Sequence, residues 1–240
     1  MLFARTVRTL ATRTTAFTPL SLNQQQTLTK AFSSSALRMT LISEALKDDH
    51  RKINEYYENV LKATDNDTKV RWQNQFVWEL ARHSVAEELI VYPAFERYLG
   101  KQGEEMAAKD RDEHHKVKEQ LKVFQNLKPE DPKFEHTLNS LMTDLRQHIK
   151  EEELEDMPAL EAALTKEPAG ISENLVKKFG RTKAFVPSRS HPSAGSGHEG
   201  PAGWVPPFET AMGLLVAPID HVRDLFAKFP DTVSPNPSTK

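Results

Sequence analysis

The sequence predicts an all-α protein: an antiparallel, up-down four-helix bundle followed by a linker and an extra C-terminal amphipathic helix. Four segments repeat apolar residues every three or four positions, the spacing that gives a helix one apolar face. Short polar connections separate the segments, which favours antiparallel neighbours. In each segment a histidine continues the apolar face, so we expect the bundle to bury four imidazoles.

The N-terminal segment has the composition of a targeting sequence. Residues 1–43 contain no Asp or Glu, whereas five Lys or Arg residues recur among serines and threonines. A basic, hydroxyl-rich segment without acidic residues is typical of a mitochondrial transit peptide. We therefore expect residues 1–38 to be a transit peptide and the protein to be mitochondrial. The alternative is a cytoplasmic form that starts at Met39.

The first two predicted helices span about residues 41–63 and 68–99. A polar turn separates them, and Pro93 is expected to kink or end the second helix because proline lacks the N–H that the helix needs. Each helix has one apolar face that includes a histidine. The faces run through Leu46, His50, Ile53, Tyr57 and Val60 in the first helix, and through Phe76, Leu80, His83, Glu87, Ile90 and Ala94 in the second.

The third predicted helix covers about residues 103–127, and the fourth runs from Asp131-Pro132 to about residue 164. Asp131 is expected to cap the fourth helix and Pro132 to be its first residue. The inward faces run through Ala107, His114, Val117, Leu121 and Phe124 in the third helix, and through Phe134, Leu138, Leu141, Leu145, His148, Glu152 and Ala159 in the fourth.

The composition changes after the bundle, which is expected to occupy residues 41–165. We expect residues 166–207 to be a linker, since most of this stretch is rich in Pro, Ser and Gly. Residues 208–230 regain a helical period and are expected to pack on the bundle; the alternative is a helix for a partner or a membrane surface. Their apolar positions are Met212, Leu215, Ile219, Val222 and Phe226.

Two of the inward histidines are followed four residues later by a glutamate, which places an imidazole and a carboxylate on the same helix face. A residue five positions on would lie about 140° away, so Glu88 and Glu153 are expected to face sideways or outward, although a distortion near Pro158 could bring Glu153 inward. Burying these groups without a partner would cost several kcal/mol, and a cation is the simplest compensating group. The predicted metal ligands are His50, His83, Glu87, His114, His148 and Glu152.

Composition limits the kind of metal site and the class of partner. The chain has no cysteine, which excludes thiolate sites and leaves imidazole and carboxylate ligands, a set that suits iron, manganese or zinc. Because imidazoles bind metals in the neutral form, occupancy is expected to fall below about pH 6. The net charge of -2 argues against a general nucleic-acid binder. No apolar run approaches the roughly 18 residues that a transmembrane helix requires.

The order and spacing of these residues resemble the hemerythrin-like HHE cation-binding domain over about residues 41–164. The resemblance implies a four-helix bundle around a non-haem di-iron centre with bridging carboxylates and terminal histidines. It is carried by Asp49-His50, by His83-x-x-x-Glu87-Glu88 with Tyr92-Pro93, by Glu113-His114 with Val117-Lys118, and by His148-x-x-x-Glu152-Glu153 with Met157-Pro158.

One departure from the oxygen-carrying members affects the expected function. Their third helix supplies two histidines four residues apart, whereas the positions four residues on either side of His114 are Asp110 and Lys118. Counted over two octahedral irons, the missing imidazole leaves about two coordination positions open or filled by water. Asp110 is a candidate for one of them. Such an open centre suits iron sensing, iron handling or slow oxidant chemistry better than reversible O2 carriage.

From the resemblance we expect a non-haem di-iron protein that binds iron, and O2 or a related small oxidant such as peroxide, without being a dedicated enzyme. One alternative is a di-iron oxidase or peroxidase, which would need open coordination and a substrate pocket. The other is a metal-free helical interaction bundle, in which the inward His and Glu side chains form a buried polar network.

Overall fold

The computed structural model describes residues 41–191 and 208–232, and side chains over 41–191 and 216–232. These ranges contain helices and turns and no β-strand. The transit peptide predicted for residues 1–38 and the linker residues 192–207 lie outside the described residues. Within the described part of the chain, no helix is both long and apolar enough to cross a membrane.

Helices α1 (Ile42–Lys62) and α2 (Asn66–Ala86) form the first antiparallel pair of the bundle. The Asp65 side chain ends the polar turn between them by accepting a hydrogen bond from the backbone N–H of Thr68 at 2.8 Å. This cap satisfies one of the N–H groups that the first helical turn leaves without an intrahelical partner.

The second and fourth bundle helices each contain a π-helical turn ahead of a proline. The second continues from α2 through a π turn, Glu87–Val91, into α3 (Tyr92–Leu99). The fourth consists of α5 (Phe134–Glu151), a π turn, Glu152–Asp156, and α6 (Met157–Leu164). The residue before each proline donates its backbone N–H to the carbonyl five residues back, from Tyr92 to Glu87 and from Met157 to Glu152. The proline that follows has no N–H to donate, so a π turn and a proline coincide in both helices.

Helix α4 (Lys101–Phe124) is the third bundle helix. It follows Gly100, whose φ of 59° strains a residue with a side chain, and contacts α3 closely at Gly103. Helix α5 starts at Phe134, slightly later than predicted, because Asp131 uses its side chain to accept the Lys133 N–H at 2.8 Å in a preceding turn.

The apolar core consists of two clusters, and the four predicted histidines lie between them along the helices. In α1, for example, Leu46 belongs to one cluster, Ile53 belongs to the other, and His50 is between the two. In α2, Leu80 and Ala86 flank His83 in the same way. The bundle therefore has a polar layer enclosed by apolar packing on both sides.

Part of the predicted linker is a helix, α7 (Ile171–Lys183). Leu175 and Phe179, four residues apart, are buried against the bundle, and Ser172 accepts the Ile42 N–H at 2.8 Å. The prediction of a linker over residues 166–207 is therefore wrong for this stretch. Its apolar residues are too few and too mixed with charges to stand out in the sequence.

Helix α8 (Phe208–Asp224) forms within the predicted range, but over the described side chains its buried face is not the predicted one. Ala217 and Asp220 are buried, and Asp220 pairs with His191 at 2.8 Å. The apolar residues predicted to pack on the bundle, Ile219, Val222 and Phe226, are more than half exposed. A carboxylate paired with a histidine has thus taken the place expected for apolar side chains.

Candidate metal centre

The four predicted histidines meet in the polar layer as two pairs. His50 and His83, from α1 and α2, have ring centroids 4.9 Å apart, and His114 and His148, from α4 and α5, have ring centroids 4.7 Å apart. All four are buried. The bundle therefore brings imidazoles from all four of its helices into one solvent-excluded region.

Two buried carboxylates lie between the pairs. Glu87 has Oε2 at 3.1 Å from His83 Nε2 and at 3.5 Å from His114 Nε2. Glu152 has Oε2 at 3.4 Å from His50 Nε2 and at 3.5 Å from His148 Nε2. Each carboxylate thus reaches one imidazole of each pair, as a ligand that bridges two metal ions would.

The ligand atoms fit cations in two adjacent positions. His50, His83 and Glu87 offer one atom each within 4.8 Å of one another, and so do Glu87, His114 and His148. Both oxygens of Glu87, Oε2 of Glu152 and Nε2 of His50 are buried without a hydrogen-bond partner. Since such atoms are costly to bury unpaired, a donor set of this kind is suited to a cation pair that shares Glu87.

A second layer of carboxylates faces the Nδ1 atoms of the same histidines. Glu153 lies 2.8 Å from His50, Glu113 lies 2.8 Å from His148, and Glu88 lies 3.2 Å from His114. Asp49 is 3.5 Å from His83 Nδ1, longer than a hydrogen bond. A carboxylate at Nδ1 fixes the tautomer that leaves the Nε2 lone pair available for a metal.

The second layer of carboxylates was not predicted from the sequence. Glu88 and Glu153 were predicted to face sideways or outward, with Glu153 inward as the alternative, and neither was assigned a partner, whereas they face His114 and His50. Each of the four acidic residues is adjacent in sequence to a predicted ligand and faces a histidine of a different helix. The signal is therefore an acidic residue beside each ligand, and the three-dimensional structure is needed to know its partner.

Tyr92 is a further group at the centre that was not predicted as a site residue. Its hydroxyl lies 2.9 Å from His114 Nε2 and 3.5 Å from Glu152 Oε1, and the side chain is fully buried. Burial and the nearby carboxylates, Glu152 above all, raise the pKa of the phenol well above its ordinary value. The hydroxyl therefore stays protonated and can donate a hydrogen bond into the centre.

The two residues in place of the second α4 histidine have different surroundings. Asp110 is 1% exposed, its Oδ2 has no hydrogen-bond partner, and it groups with Glu113 and His148 within 4.8 Å. Burial, together with Glu152, raises the pKa of Asp110 to about 8. Lys118 instead pairs with Glu88 at 2.8 Å.

Without a metal, protons balance the charges of the centre. Burial, with the Glu152 charge beside it, raises the pKa of Glu87 well above its ordinary value. Burial alone would lower the pKa of His148, but Glu152 and Glu113 raise it to about 9. Burial lowers the pKa of His83 to about 4. A cation entering the centre must therefore displace protons from Glu87 and His148.

Three comparisons relate the chain to known proteins. Residues 41–160 match the family model described as the hemerythrin HHE cation binding domain. A hemerythrin-like protein of Schizosaccharomyces pombe is 52% identical over 193 residues, which cover 80% of this chain and 90% of that protein. A Nostoc protein named as a DNA nickase is 22% identical over 148 residues, 62% of this chain but 40% of its own length. No solved structure matches the chain.

Proposed function

The chain belongs to the hemerythrin HHE cation-binding family and is thus a cation-binding protein, and we propose that the cations are two iron ions held as a non-haem di-iron centre. Glu87 and Glu152 would bridge the ions, with His50 and His83 on one and His114 and His148 on the other. The observation that carries this proposal is Glu87: a fully buried carboxylate between two histidine pairs, with both oxygens unpartnered.

Metal analysis with an optical spectrum tests the di-iron assignment. The full chain expressed with iron should contain about two irons per chain, and the isosteric variant Glu87→Gln should lose most of both, because an amide is a much weaker ligand. His136→Ala, an exposed histidine of α5, is the matched control and should keep its iron. Iron-free wild-type protein, or Glu87→Gln protein with full iron, would contradict the proposal.

We further propose that the protein handles or senses iron, or binds O2 or a related small oxidant, without reversible O2 carriage. Bound iron supplies redox chemistry and open coordination positions. The support is the α4 sequence, where Asp110 and the Glu88-paired Lys118 flank His114 in place of a second histidine. Air should oxidise the ferrous protein, and removing O2 should not restore the ferrous spectrum. Full recovery over repeated cycles would contradict this.

A di-iron oxidase or peroxidase is the second candidate, and the buried Tyr92 hydroxyl favours it. A phenol 2.9 Å from His114 and 3.5 Å from Glu152 can donate a hydrogen bond to an oxidant held beside it and so stabilise charge that develops on the oxidant. Catalysed peroxide consumption by the iron-loaded protein, reduced by about tenfold or more in Tyr92→Phe, would identify an enzyme. If peroxide instead oxidises the iron of wild type and of Tyr92→Phe once, to the same extent and without turnover, the result would favour the binding function.

Two further proposals concern where the protein is located and whether it acts on DNA. From the composition of residues 1–38 we propose a mitochondrial protein, to be tested by imaging a C-terminal fluorescent fusion with and without those residues. We do not transfer DNA nicking from the Nostoc relative, because this chain spans 40% of that protein and has a net charge of -2. Nicking of supercoiled plasmid by the purified chain would reverse this view.

A further inference from the structure

Helix α7 lies beyond residues 41–160, which match the family model, yet it contacts the metal centre. The Phe179 ring meets the His83 ring edge to face, with centroids 6.1 Å apart. One turn later, at the end of α7, comes Lys183, whose side chain is 12% exposed. The helix therefore covers the His83 side of the centre.

Lys183 donates hydrogen bonds from Nζ to two buried carboxylates, Asp49 and Glu79. The Asp49 oxygen that it contacts is Oδ2, the same oxygen that lies 3.5 Å from His83 Nδ1. His83 Nε2, on the other side of the ring, lies 3.1 Å from Glu87. A continuous set of contacts thus leads from Lys183 through Asp49 to the proposed ligand His83.

Two of the three other outer carboxylates, Glu88 and Glu113, show the same arrangement with lysines of the bundle. Glu88, which faces His114, pairs with Lys118 of the same helix as that histidine at 2.8 Å. Glu113, which faces His148, lies 3.6 Å from Lys109. For Asp49 the bundle offers only Lys52, which lies 3.7 Å from the other oxygen, Oδ1, on a side chain that is 43% exposed.

We propose that Lys183 is a positioning residue of the metal centre: it holds Asp49 Oδ2 beside His83 Nδ1 and thereby keeps the His83 Nε2 lone pair directed towards the metal. This inference rests on the proposed metal-binding function. Helix α7 then contributes to metal binding through Lys183, although it lies outside the residues that the family model matches.

The physical reason is competition for the Asp49 carboxylate. Without Lys183, the nearest ammonium group is Lys52, and the carboxylate would turn towards it and the solvent. The Asp49 carboxylate would then no longer lie beside His83 Nδ1, and both imidazole tautomers would become accessible. Removing an outer partner of a liganding histidine typically lowers metal affinity by about 10–100-fold.

The test compares variants of the full chain by titration with Co(II) against a competing chelator. Lys183→Met and Asp49→Asn should each weaken the binding of one of the two ions by about 10–100-fold, and the double variant should weaken it no further, because both changes break the same contact. Lys183→Arg should restore most of the affinity. Lys178→Met, at an exposed lysine of the same helix, should have no effect.

Two further measurements distinguish a positioning role of Lys183 from a purely structural one. Glu79→Gln removes the other partner of Lys183 but leaves the Asp49 contact, so it separates an effect on stability from an effect on positioning. If Lys183→Met does not fold, the double variant Lys183→Met/Glu79→Gln replaces it, because this variant leaves one fewer buried carboxylate without a partner. The ¹⁵N shifts of the His83 ring in metal-free protein should show one tautomer in wild type and a mixture in Lys183→Met, which tests the positioning even if wild type binds no metal. Unchanged shifts, or equal affinity losses in Glu79→Gln and Lys183→Met, would overturn it.

Discussion

At the scale of single residues, the protons held by Glu87 and His148 determine how the centre takes up a metal. The pKa of Glu87 is raised by its burial beside Glu152, and the pKa of His148 is raised to about 9 by the same carboxylate and Glu113. His148 therefore carries a proton at neutral pH in the metal-free protein, and the raised pKa of Glu87 favours the protonated form of that carboxyl group. Metal binding is therefore an exchange of cations for protons.

Metal affinity should consequently keep rising from pH 6 to pH 9, beyond the range expected from free histidine. A cation competes with protons on every ligand whose pKa exceeds the ambient pH, and His148 meets this condition up to about pH 9. Calorimetry with Co(II) in two buffers of different ionisation enthalpy should report net proton release on binding at pH 7. Affinity that levels off above pH 7 would contradict the prediction.

Asp110 should make the metal-free protein less stable as the pH rises. Its folded pKa of about 8 exceeds the ordinary value of 3.8, so between these values the folded state holds a proton that the unfolded state has lost. The contribution of this Asp110 proton to the free energy of unfolding is complete below about pH 4 and disappears as the pH approaches 8. Asp110→Asn should therefore be more stable than wild type at pH 8 and equally stable at pH 4, by urea unfolding. Asp112→Asn, at an exposed neighbour, should show no such trend.

Helical periodicity was enough to bring the six predicted ligands together, because it fixes which residues share a face. It could not assign the second layer, since Asp49, Glu88 and Glu153 each face a histidine of another helix. Tyr92 was missed for a related reason: an aromatic residue on an apolar face is ordinarily part of the core.

At the scale of elements, the two π turns explain where the predicted faces fail. A uniform helical period placed Ile90 and Ala159 on the buried face, but both are half-buried, and the neighbouring Val91 and Leu160 are buried instead. Each π turn adds a residue to its turn and so changes which neighbouring residue faces inward, while Ala94 beyond the first π turn is buried as predicted. The prolines were visible in the sequence and were interpreted as kinks, whereas the helices accommodate them by widening.

The contact between α3 and α4 should be intolerant of even one methyl group. A Cβ at Gly103 would overlap the backbone carbonyl of Phe95, which cannot move independently of its helix. Gly103→Ala should cost about 1–3 kcal/mol of unfolding free energy and lower the Tm by about 2–12 °C. Gly180→Ala is the matched control, because that position of α7 is open, and should stabilise the protein by about 0.5–1 kcal/mol. Equal effects of the two changes on thermal unfolding would contradict the close packing.

The C-terminal elements show what periodicity cannot decide. The pattern in α8 indicated an amphipathic helix but not which face is buried, and the buried face is anchored by the Asp220–His191 pair across a long gap in sequence. In α7, Phe179 and Lys183 contact the centre, yet neither an apolar nor a charged residue is unusual in a short helix.

At the scale of the whole molecule, the polar layer lies between two apolar clusters. We expect the metal-free protein to keep its helices, since burial of these clusters supplies most of the stability. Removing the metal with a chelator should leave the far-ultraviolet circular dichroism unchanged but lower the Tm. The lost stability should be about 2.7 kcal/mol for a free metal concentration of about 100 Kd. Loss of helical signal on chelation would show that the metal is required for folding.

The position of Lys183 in the sequence also means that the ribosome makes the residues of the metal centre at different times. His50, His83 and Glu87 leave the ribosome first, and Lys183 follows His83 by 100 residues. At about 5–20 residues per second, that interval lasts about 5–20 s. A chain of this length has Lys52 but not Lys183 to pair with Asp49, so we expect its His50, His83 and Glu87 side chains to select less strictly among divalent ions. We therefore expect that a stalled chain ending before α7 discriminates less between iron and zinc than the full chain, as measured by metal analysis of the two purified forms.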